Sequence, residues 1–170
     1  MTENSVKKLH LIRHAKSSWN NSYLADIDRP LNERGMRSCQ AMAAKIADAG
    51  CPFTNVFCSP AVRAHSTIEQ IGEALAARQI DWQVDDALYT FDFQDLLRWC
   101  RGLDDVIAQI VIIGHNPAMT DFINEMSDRT IENLPTCGYA QLWFETQSWQ
   151  TLPAKSAKLV SFLKPKMFMD

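Results

Sequence analysis

The chain has 170 residues, 46% of them hydrophobic and 22% charged, with a formal net charge of −3. This length suits one domain with a substantial apolar core, so we expect a single domain over residues 1–170. The charge gives no reason to expect a nucleic-acid or anionic-membrane partner, and no stretch approaches the ~20 apolar residues of a membrane span. We therefore expect a cytoplasmic protein in which any functional basic groups form one local site.

Strands and helices alternate through most of the chain, which predicts an α/β architecture. Leu9 to Ile12 is a short apolar strand, and the segment from an Asn32 cap to a stop at Gly50 is typical of a helix. Asn55 to Cys58 is the next strand, and the apolar spacing after it predicts a second helix with Arg63 in or near its first turn.

In the second half of the chain, strands and helices continue to alternate up to about residue 126, after which little helix is predicted. Phe93 to Arg101 is predicted to be helical, and the unbroken apolar run Ile110 to Ile113 indicates a central strand covered on both faces. Pro117 to Met126 is predicted to form a fourth helix. The last third has two strands with little helix between them, Tyr139 to Phe144 and Lys158 to Leu163. A mixed sheet is the expected result.

The five cysteines include no Cys-x-x-Cys pair that would indicate a zinc site or a redox site. A cysteine-dependent phosphatase would need five residues between its cysteine and its arginine, but only four separate Cys58 from Arg63. We therefore expect reduced, buried thiols with no catalytic role, and we expect neither a metal nor a cofactor.

Basic side chains follow three of the predicted strands. Arg13 and His14 come directly after the first strand, Arg63 comes soon after the second, and His115 follows the central one. Ligands of open α/β sheets bind at the carboxyl ends of the strands, so these groups can converge on a dianion such as a phosphoryl group. Any one of these segments is also compatible with an ordinary surface turn, and only their joint occurrence favours a site.

Four segments together resemble the histidine phosphatase superfamily, also called phosphoglycerate-mutase-like, and most closely its compact phosphohistidine phosphatases of the SixA type. The segments are Leu11-Ile12-Arg13-His14-Ala15, Arg29-Pro30-Leu31-Asn32-Glu33-Arg34-Gly35, Ser59-Pro60-Ala61-Val62-Arg63-Ala64 and Ile113-Gly114-His115-Asn116-Pro117. The resemblance covers nearly the whole chain. It implies an α/β three-layer sandwich, with a mixed, mainly parallel six-stranded sheet and helices on both faces.

The resemblance also implies a metal-independent reaction through a phosphohistidine intermediate on His14. Under it, the phosphate contacts come from Arg13, Arg63 and His115. A short residue after the Arg-His pair often touches phosphate in this family, and Ser17 or Ser18 is the candidate here.

This sequence departs from many family members in its acid catalyst. The usual glutamate is absent from the stretch Ala87 to Thr90, which has Tyr89, and Asn116 stands where the acid phosphatases have an aspartate. Asp26 and Asp28 are the candidate proton donors, although a solvated loop explains them equally well.

Without an obvious acid, the site suits a leaving group that departs already protonated, as the imidazole of phosphohistidine can. The leading hypothesis is therefore a phosphatase that removes phosphate from phosphohistidine in a protein. A phosphomonoesterase of small metabolites is the alternative, and a non-catalytic module that binds phosphorylated partners is a third hypothesis. The sequence leaves open the oligomeric state and the roles of Lys16 and Trp19.

Overall fold

The computed structural model describes residues 6–169. Within this range the chain forms six strands and four α-helices, joined by loops that include four short 3₁₀ helices. In chain order the elements are β1 (Val6–Arg13), α1 (Glu33–Asp48), β2 (Val56–Cys58), α2 (Val62–Ala74), β3 (Trp82–Val84), α3 (Phe93–Arg101), β4 (Gln109–Gly114), α4 (Ala118–Met126), β5 (Tyr139–Glu145) and β6 (Lys158–Leu163).

The six strands form one sheet in the order β3-β2-β4-β1-β5-β6. The pairs β3-β2, β2-β4 and β4-β1 are parallel, whereas β5 runs antiparallel to both β1 and β6. The expected mixed, mainly parallel six-stranded sheet is therefore confirmed. Strand β3 has no counterpart among the predicted elements, because it is three residues long and lies at the edge, where its side chains are mostly exposed.

The helices cover both faces of the sheet. Side chains that alternate along β1 and β4 enter two separate apolar clusters, as strand geometry requires. Leu11 and Ile112 pack with α3 and α4 on one face, while Ile12 and Ile113 pack with α1 and α2 on the other. This arrangement confirms the expected three-layer sandwich. No helix of the described range is both long and apolar enough to cross a membrane.

The carboxyl ends of β2, β4 and β1 lie side by side in the sheet. Cys58 pairs with Ile113, and Arg13 pairs with Gly114, so these strands end at the same level. The backbone N–H of His14 donates to the carbonyl oxygen of Gly114 at 3.0 Å. The segments that follow these strands consequently meet at one edge.

The start of α1 packs closely against the segment that follows β1. The Asn32 side chain accepts a hydrogen bond from the backbone N–H of Gly35, which confirms the predicted cap. A Cβ atom on Gly35 would lie 2.2 Å from the carbonyl oxygen of Lys16, so only glycine fits there. This contact fixes the path of the chain just after His14.

The other helices match their predicted positions within a few residues. Helix α3 has the predicted bounds, and Arg63 is the second residue of α2. Helix α4 begins at Ala118, one residue later than predicted. The Asn116 side chain accepts hydrogen bonds from the backbone N–H and the hydroxyl of Thr120, at 3.1 and 3.0 Å.

Candidate active site

His14 follows β1 at this edge and is 7% exposed, and with Arg13, Arg63 and His115 it forms a cluster that we call the pocket. Its Nδ1 lies 2.7 Å from the carbonyl oxygen of Ala15, which can only accept, so Nδ1 is the protonated ring nitrogen. Burial, together with the charges of neighbouring guanidinium groups, lowers the pKa of His14 to about 4, although the hydrogen bond to Ala15 acts to raise it. At neutral pH the ring is therefore uncharged, and its unprotonated Nε2 carries the lone pair that can act as a nucleophile.

The guanidinium group of Arg63 contacts the two histidines on one side and Asp26 on another. Its Nε donates to His14 Nε2 at 3.3 Å, and its Nη2 lies 3.5 Å from His115 Nδ1. The opposite fork is bound to Asp26: Nη1 donates to the backbone oxygen at 2.6 Å and Nη2 to the carboxylate at 2.9 Å. Arg63 is 2% exposed, so its orientation is fixed by these contacts.

Asp26 is at the centre of this network. Its carboxylate accepts hydrogen bonds from Tyr89 at 2.5 Å, from Arg63 at 2.9 Å and from Arg29 at 3.2 Å. Burial would raise the pKa of Asp26, but these hydrogen bonds and the charge of Arg63 lower it to about 2. Asp26 is therefore ionised at neutral pH and holds no proton that it could donate.

His115 faces His14 across the pocket, with ring centroids 5.2 Å apart. The Ser59 hydroxyl lies 2.7 Å from His115 Nε2, and the rings of Tyr89 and Phe91 pack against the imidazole at 5.4 and 5.3 Å. Burial, together with the nearby His14 and guanidinium groups, lowers the pKa of His115 to about 3. His115 is thus neutral and held in one orientation.

Arg13 completes the set of predicted phosphate ligands. Its Nη1 donates to the carbonyl oxygen of Leu134 at 3.0 Å. Its Nε is buried and has no hydrogen-bond partner within residues 6–169. Buried donors in proteins are nearly always satisfied, so an unpaired guanidinium N–H in this position suits an incoming anion.

Ser17 lies beside the pocket and is bound to Arg29. Its hydroxyl accepts from Arg29 Nη1 at 2.7 Å, and the ring of Trp19 covers the same guanidinium group at 3.6 Å. Trp19 is 76% exposed, so it covers Arg29 at the surface and is not part of the core.

The remaining candidates lie further from the imidazoles. Asp28 is exposed, and within the described range its side chain makes no hydrogen bond or salt bridge. The Ser18 carbonyl accepts from Arg29 at 3.3 Å, whereas its hydroxyl accepts only from a neighbouring backbone N–H. Lys16 is exposed. The structure thus brings together Arg13, His14, Arg63 and His115, with Asp26 and Ser17 next to them, and leaves Asp28 apart.

The charges of this cluster do not cancel. Three guanidinium groups, those of Arg13, Arg29 and Arg63, meet one carboxylate, that of Asp26. A buried excess of two positive charges is costly unless an anion offsets it. A phosphoryl dianion matches this excess. Among residues 6–169 no group of three or more His, Cys, Asp or Glu side chains could hold a metal ion.

Sequence reasoning missed three side chains that shape the site. Arg29 and Ser59 occur in the segments that resemble the family, but no role was predicted for either. Ser59 directly follows β2 at the edge that His14 and His115 share, so its position was a usable signal. Tyr89 was noted only for the absence of a glutamate, and no sequence pattern predicts its hydrogen bond to Asp26, 63 residues away.

A family model, described as histidine phosphatase superfamily (branch 1), matches residues 9–98, which is more than half of the chain. The chain belongs to the histidine phosphatase superfamily. This membership supports phosphatase activity, and the matched range includes His14, Arg63 and Tyr89.

The chain is also similar to individual proteins along part or nearly all of its length. An uncharacterised protein of Mycobacterium leprae is 28% identical over 167 residues, covering 91% of this chain and all of that protein. A 2,3-bisphosphoglycerate-dependent phosphoglycerate mutase of Sinorhizobium fredii is 33% identical over 90 residues, which are 52% of this chain and 43% of the mutase. The superfamily relatives thus include mutases.

Solved structures show that the fold is shared. The structure of the protein histidine phosphatase SixA complexed with tungstate superimposes with a TM-score of 0.76 at 19% identity, covering 94% of this chain and 98% of that one. The architecture expected from the resemblance is therefore that of known superfamily members.

Proposed function

We propose that this chain is a phosphatase that transfers the phosphoryl group to His14 Nε2 and then to water, and that its substrate is phosphohistidine in a protein. We also propose that its 170 residues act as one domain. The observation that carries the proposal is the state of His14. Its Nδ1 is tied to the Ala15 carbonyl at 2.7 Å, which leaves an unprotonated Nε2 directed at the Arg63 side of the pocket.

In the first step, the lone pair of His14 Nε2 forms a bond to phosphorus while the bond from phosphorus to the leaving group breaks. The ring then bears positive charge. The hydrogen bond from Nδ1 to the Ala15 carbonyl offsets part of this charge and keeps the ring in line. In the second step, a water oxygen attacks phosphorus, the bond to Nε2 breaks, and orthophosphate leaves with neutral His14 restored.

The transferred group is anionic, and the pocket provides fixed donors for its oxygens. We propose that Arg63 binds phosphate with its Nε–Nη2 edge, because Asp26 occupies the other fork. The unpaired Nε of Arg13 is a second donor. We propose that His115 Nδ1 is a third donor when it is protonated, with Nε2 accepting the proton of Ser59 Oγ; when unprotonated, Nδ1 instead accepts from Arg63 Nη2 at 3.5 Å. Preorganised donors of this kind lower the barrier most.

The substrate class follows from the lack of a proton donor. Asp26 is ionised on Arg63, and Tyr89 occupies the place where many relatives have a glutamate. We propose that Asp26 orients Arg63, and that Ser17 acts through Arg29 rather than on the phosphate itself. An imidazole leaving group can take its proton on the second ring nitrogen before departure, so a P–N substrate requires less acid catalysis than an alkyl ester.

The test is orthophosphate release from a phosphohistidine protein and from p-nitrophenyl phosphate, both in EDTA, by the wild type and by His14→Ala. We expect both activities to persist in EDTA, to fall at least about a thousandfold in the variant, and to favour the phosphohistidine protein. His65→Ala is the matched control, because His65 lies on α2 and packs against Trp82, away from the pocket. Turnover that survives in His14→Ala would refute the assignment of the nucleophile.

A small phosphoester is the second candidate substrate, favoured by the match to a phosphoglycerate mutase over 90 residues. A higher kcat/KM for p-nitrophenyl phosphate than for the phosphohistidine protein would support it. Binding of either compound without release of orthophosphate would instead indicate a phosphate-binding module.

A further inference from the structure

A second cationic region lies at the carboxyl edge of the sheet, next to the phosphate pocket. It is a cavity of about 610 Å³ between the segment after β1, the start of α1, the loop 130–136 and the end of β6. Cavities of this size hold small ligands or parts of larger ones. The mechanism proposed above assigns it no role.

The charges in this cavity are unbalanced. Four cationic side chains line it, those of Lys16, Arg34, Lys164 and Lys166, against the single carboxylate of Glu132. Within residues 6–169 none of these five groups forms a salt bridge, because the ion pairs of that range join Asp26 to two arginines and Asp95 to Arg98. A local excess of positive charge in a chain of net charge −3 attracts anions.

The cavity also has an apolar wall that holds one of its cations. The Lys164 ammonium lies 5.2 Å from the centre of the Phe162 ring, which lines the same cavity. Pro165, which follows, is buried. A cation placed over an aromatic ring beside a buried proline is more restricted than a lysine on an open surface.

Sheet register gives the offset between the ends of β1 and β6, the strands that lead into the two cationic regions. Ile12 of β1 is level with Tyr139 of β5, which is level with Leu163 of β6. Lys164 therefore follows β6 at the edge where β1 ends at Arg13, two strands away. Neighbouring strands are about 4.8 Å apart, so this offset is roughly 10 Å.

The two regions share a wall. Arg13 in the phosphate pocket donates to the carbonyl oxygen of Leu134, and Asn116 next to His115 donates to both Leu134 and Asn133. Asn133 and Pro135 line the cavity on the other side of this segment. The segment 133–135 thus contacts both regions.

We propose that the cavity binds a second anionic group of the substrate, a carboxylate or phosphate roughly 10 Å from the phosphoryl group that is transferred. This inference rests on the proposed phosphatase function. The second anion belongs either to a small phosphoester or to an acidic side chain of a phosphorylated protein, and the recognition chemistry is the same for both.

The experiment compares two esters, p-nitrophenyl phosphate and an aryl phosphate with a carboxylate on a linker of roughly 10 Å. The double variant Arg34→Gln/Lys164→Gln should lower kcat/KM for the carboxylated ester about three- to tenfold more than for p-nitrophenyl phosphate, as expected for two partly exposed charges. Lys158→Gln is the control: it is exposed on the same strand, β6, at the opposite edge of the sheet, and should affect both esters alike. Equal losses for both esters in the double variant, or no loss for either, would overturn the proposal.

The same variants are also tested with a phosphohistidine protein as the substrate. This comparison distinguishes the two possible sources of the second anionic group. A loss in the double variant as large as that for the carboxylated ester identifies acidic side chains of the protein as the second group. A loss confined to the ester identifies a small molecule.

Calorimetric titration with the phosphonate analogue of the carboxylated ester tests the cavity without turnover. Weaker binding to the double variant than to Lys158→Gln supports the cavity even if the wild type hydrolyses nothing, a result that would reject the phosphatase proposal alone. Equal binding to both variants rejects the cavity. Equal urea midpoints for the variants and the wild type exclude a folding defect.

Discussion

The floor of the phosphate pocket and the segment that borders it differ in how firmly their side chains are held. On the floor, His14, Arg63 and His115 are 7%, 2% and 2% exposed, and each has at least one polar partner within 3.3 Å. In the bordering segment, Trp19 and Tyr23 are 76% and 98% exposed. Trp19 follows His14 after only four intervening residues.

The difference in exposure is the one expected between groups that stabilise a transition state and groups that recognise a partner. Groups that stabilise a transition state must already be in place, because reorganisation during the reaction would raise the barrier. Groups that recognise a partner can remain exposed until it binds. We therefore expect activity to depend on the fixed geometry of the floor and not on that of the bordering segment.

After the loss expected for His14→Ala, the largest effect is expected from Arg63→Lys, which should lower kcat/KM for p-nitrophenyl phosphate about 100- to 1,000-fold. A lysine keeps the charge, but it cannot bind Asp26 and the phosphoryl group through two edges of one planar group. Steady-state kinetics measures the loss. The control is Arg98→Lys, whose side chain is 75% exposed and should stay near wild-type activity. A decrease below about threefold for Arg63→Lys would mean that charge alone suffices.

The second expectation concerns pH and stability. The folded pKa values of His10, His14 and His115 are about 4, 4 and 3, below the ordinary 6.5, mainly because of burial. Between pH 6.5 and 4 the unfolded chain therefore binds protons that the folded chain does not. The stability is fully present above pH 6.5 and is lost as the pH falls toward 4, by several kcal/mol in all.

Urea unfolding at pH 7, 5.5 and 4 measures this loss. The variant His115→Gln should show a shallower decrease than the wild type, because it removes one of the three groups. A free energy of unfolding that is constant from pH 7 to pH 5 would show that the buried histidines are not held neutral.

An intermediate effect is expected at Asp26, which connects the two regions. Asp26→Ala should lower kcat/KM about tenfold or more by releasing Arg63, and Asp26→Asn should retain part of the activity through its remaining oxygen acceptor. If Asp26 orients Arg63, the loss is the same for p-nitrophenyl and phenyl phosphate. A loss that increases with the basicity of the leaving group would instead identify Asp26 as a proton donor.

The smallest effect is expected from Trp19→Ala at the border. Its ring contacts the Arg29 guanidinium, a contact that contributes on the order of 0.5–1 kcal/mol at an exposed site. The melting temperature should fall by about 1–3 °C, with activity toward p-nitrophenyl phosphate changed by less than about twofold. Tyr23→Ala, at a side chain that is 98% exposed, is the matched control. A large loss of activity in Trp19→Ala would place the border within the catalytic machinery.

Local patterns predicted much of this molecule. Apolar runs gave the positions of five strands, and the ends of three of them led to Arg13, His14, Arg63 and His115. Strand β3 was missed because a three-residue exposed edge strand has no apolar pattern. The bond from Tyr89 to Asp26 was missed for a different reason: it depends on how two loops pack in space, which no local spacing encodes.

All five cysteines are free and buried. Burial raises the pKa of the Cys51 and Cys58 thiols to about 12, and only a thiolate reacts rapidly with an alkylating reagent. Cys100 lies in the apolar layer of α3 and α4, whereas Cys58 lies in the layer of α1 and α2. Alkylation rates at these two sulfurs therefore report when each layer opens, so the protein can show, without an added label, whether its two faces unfold together or one after the other.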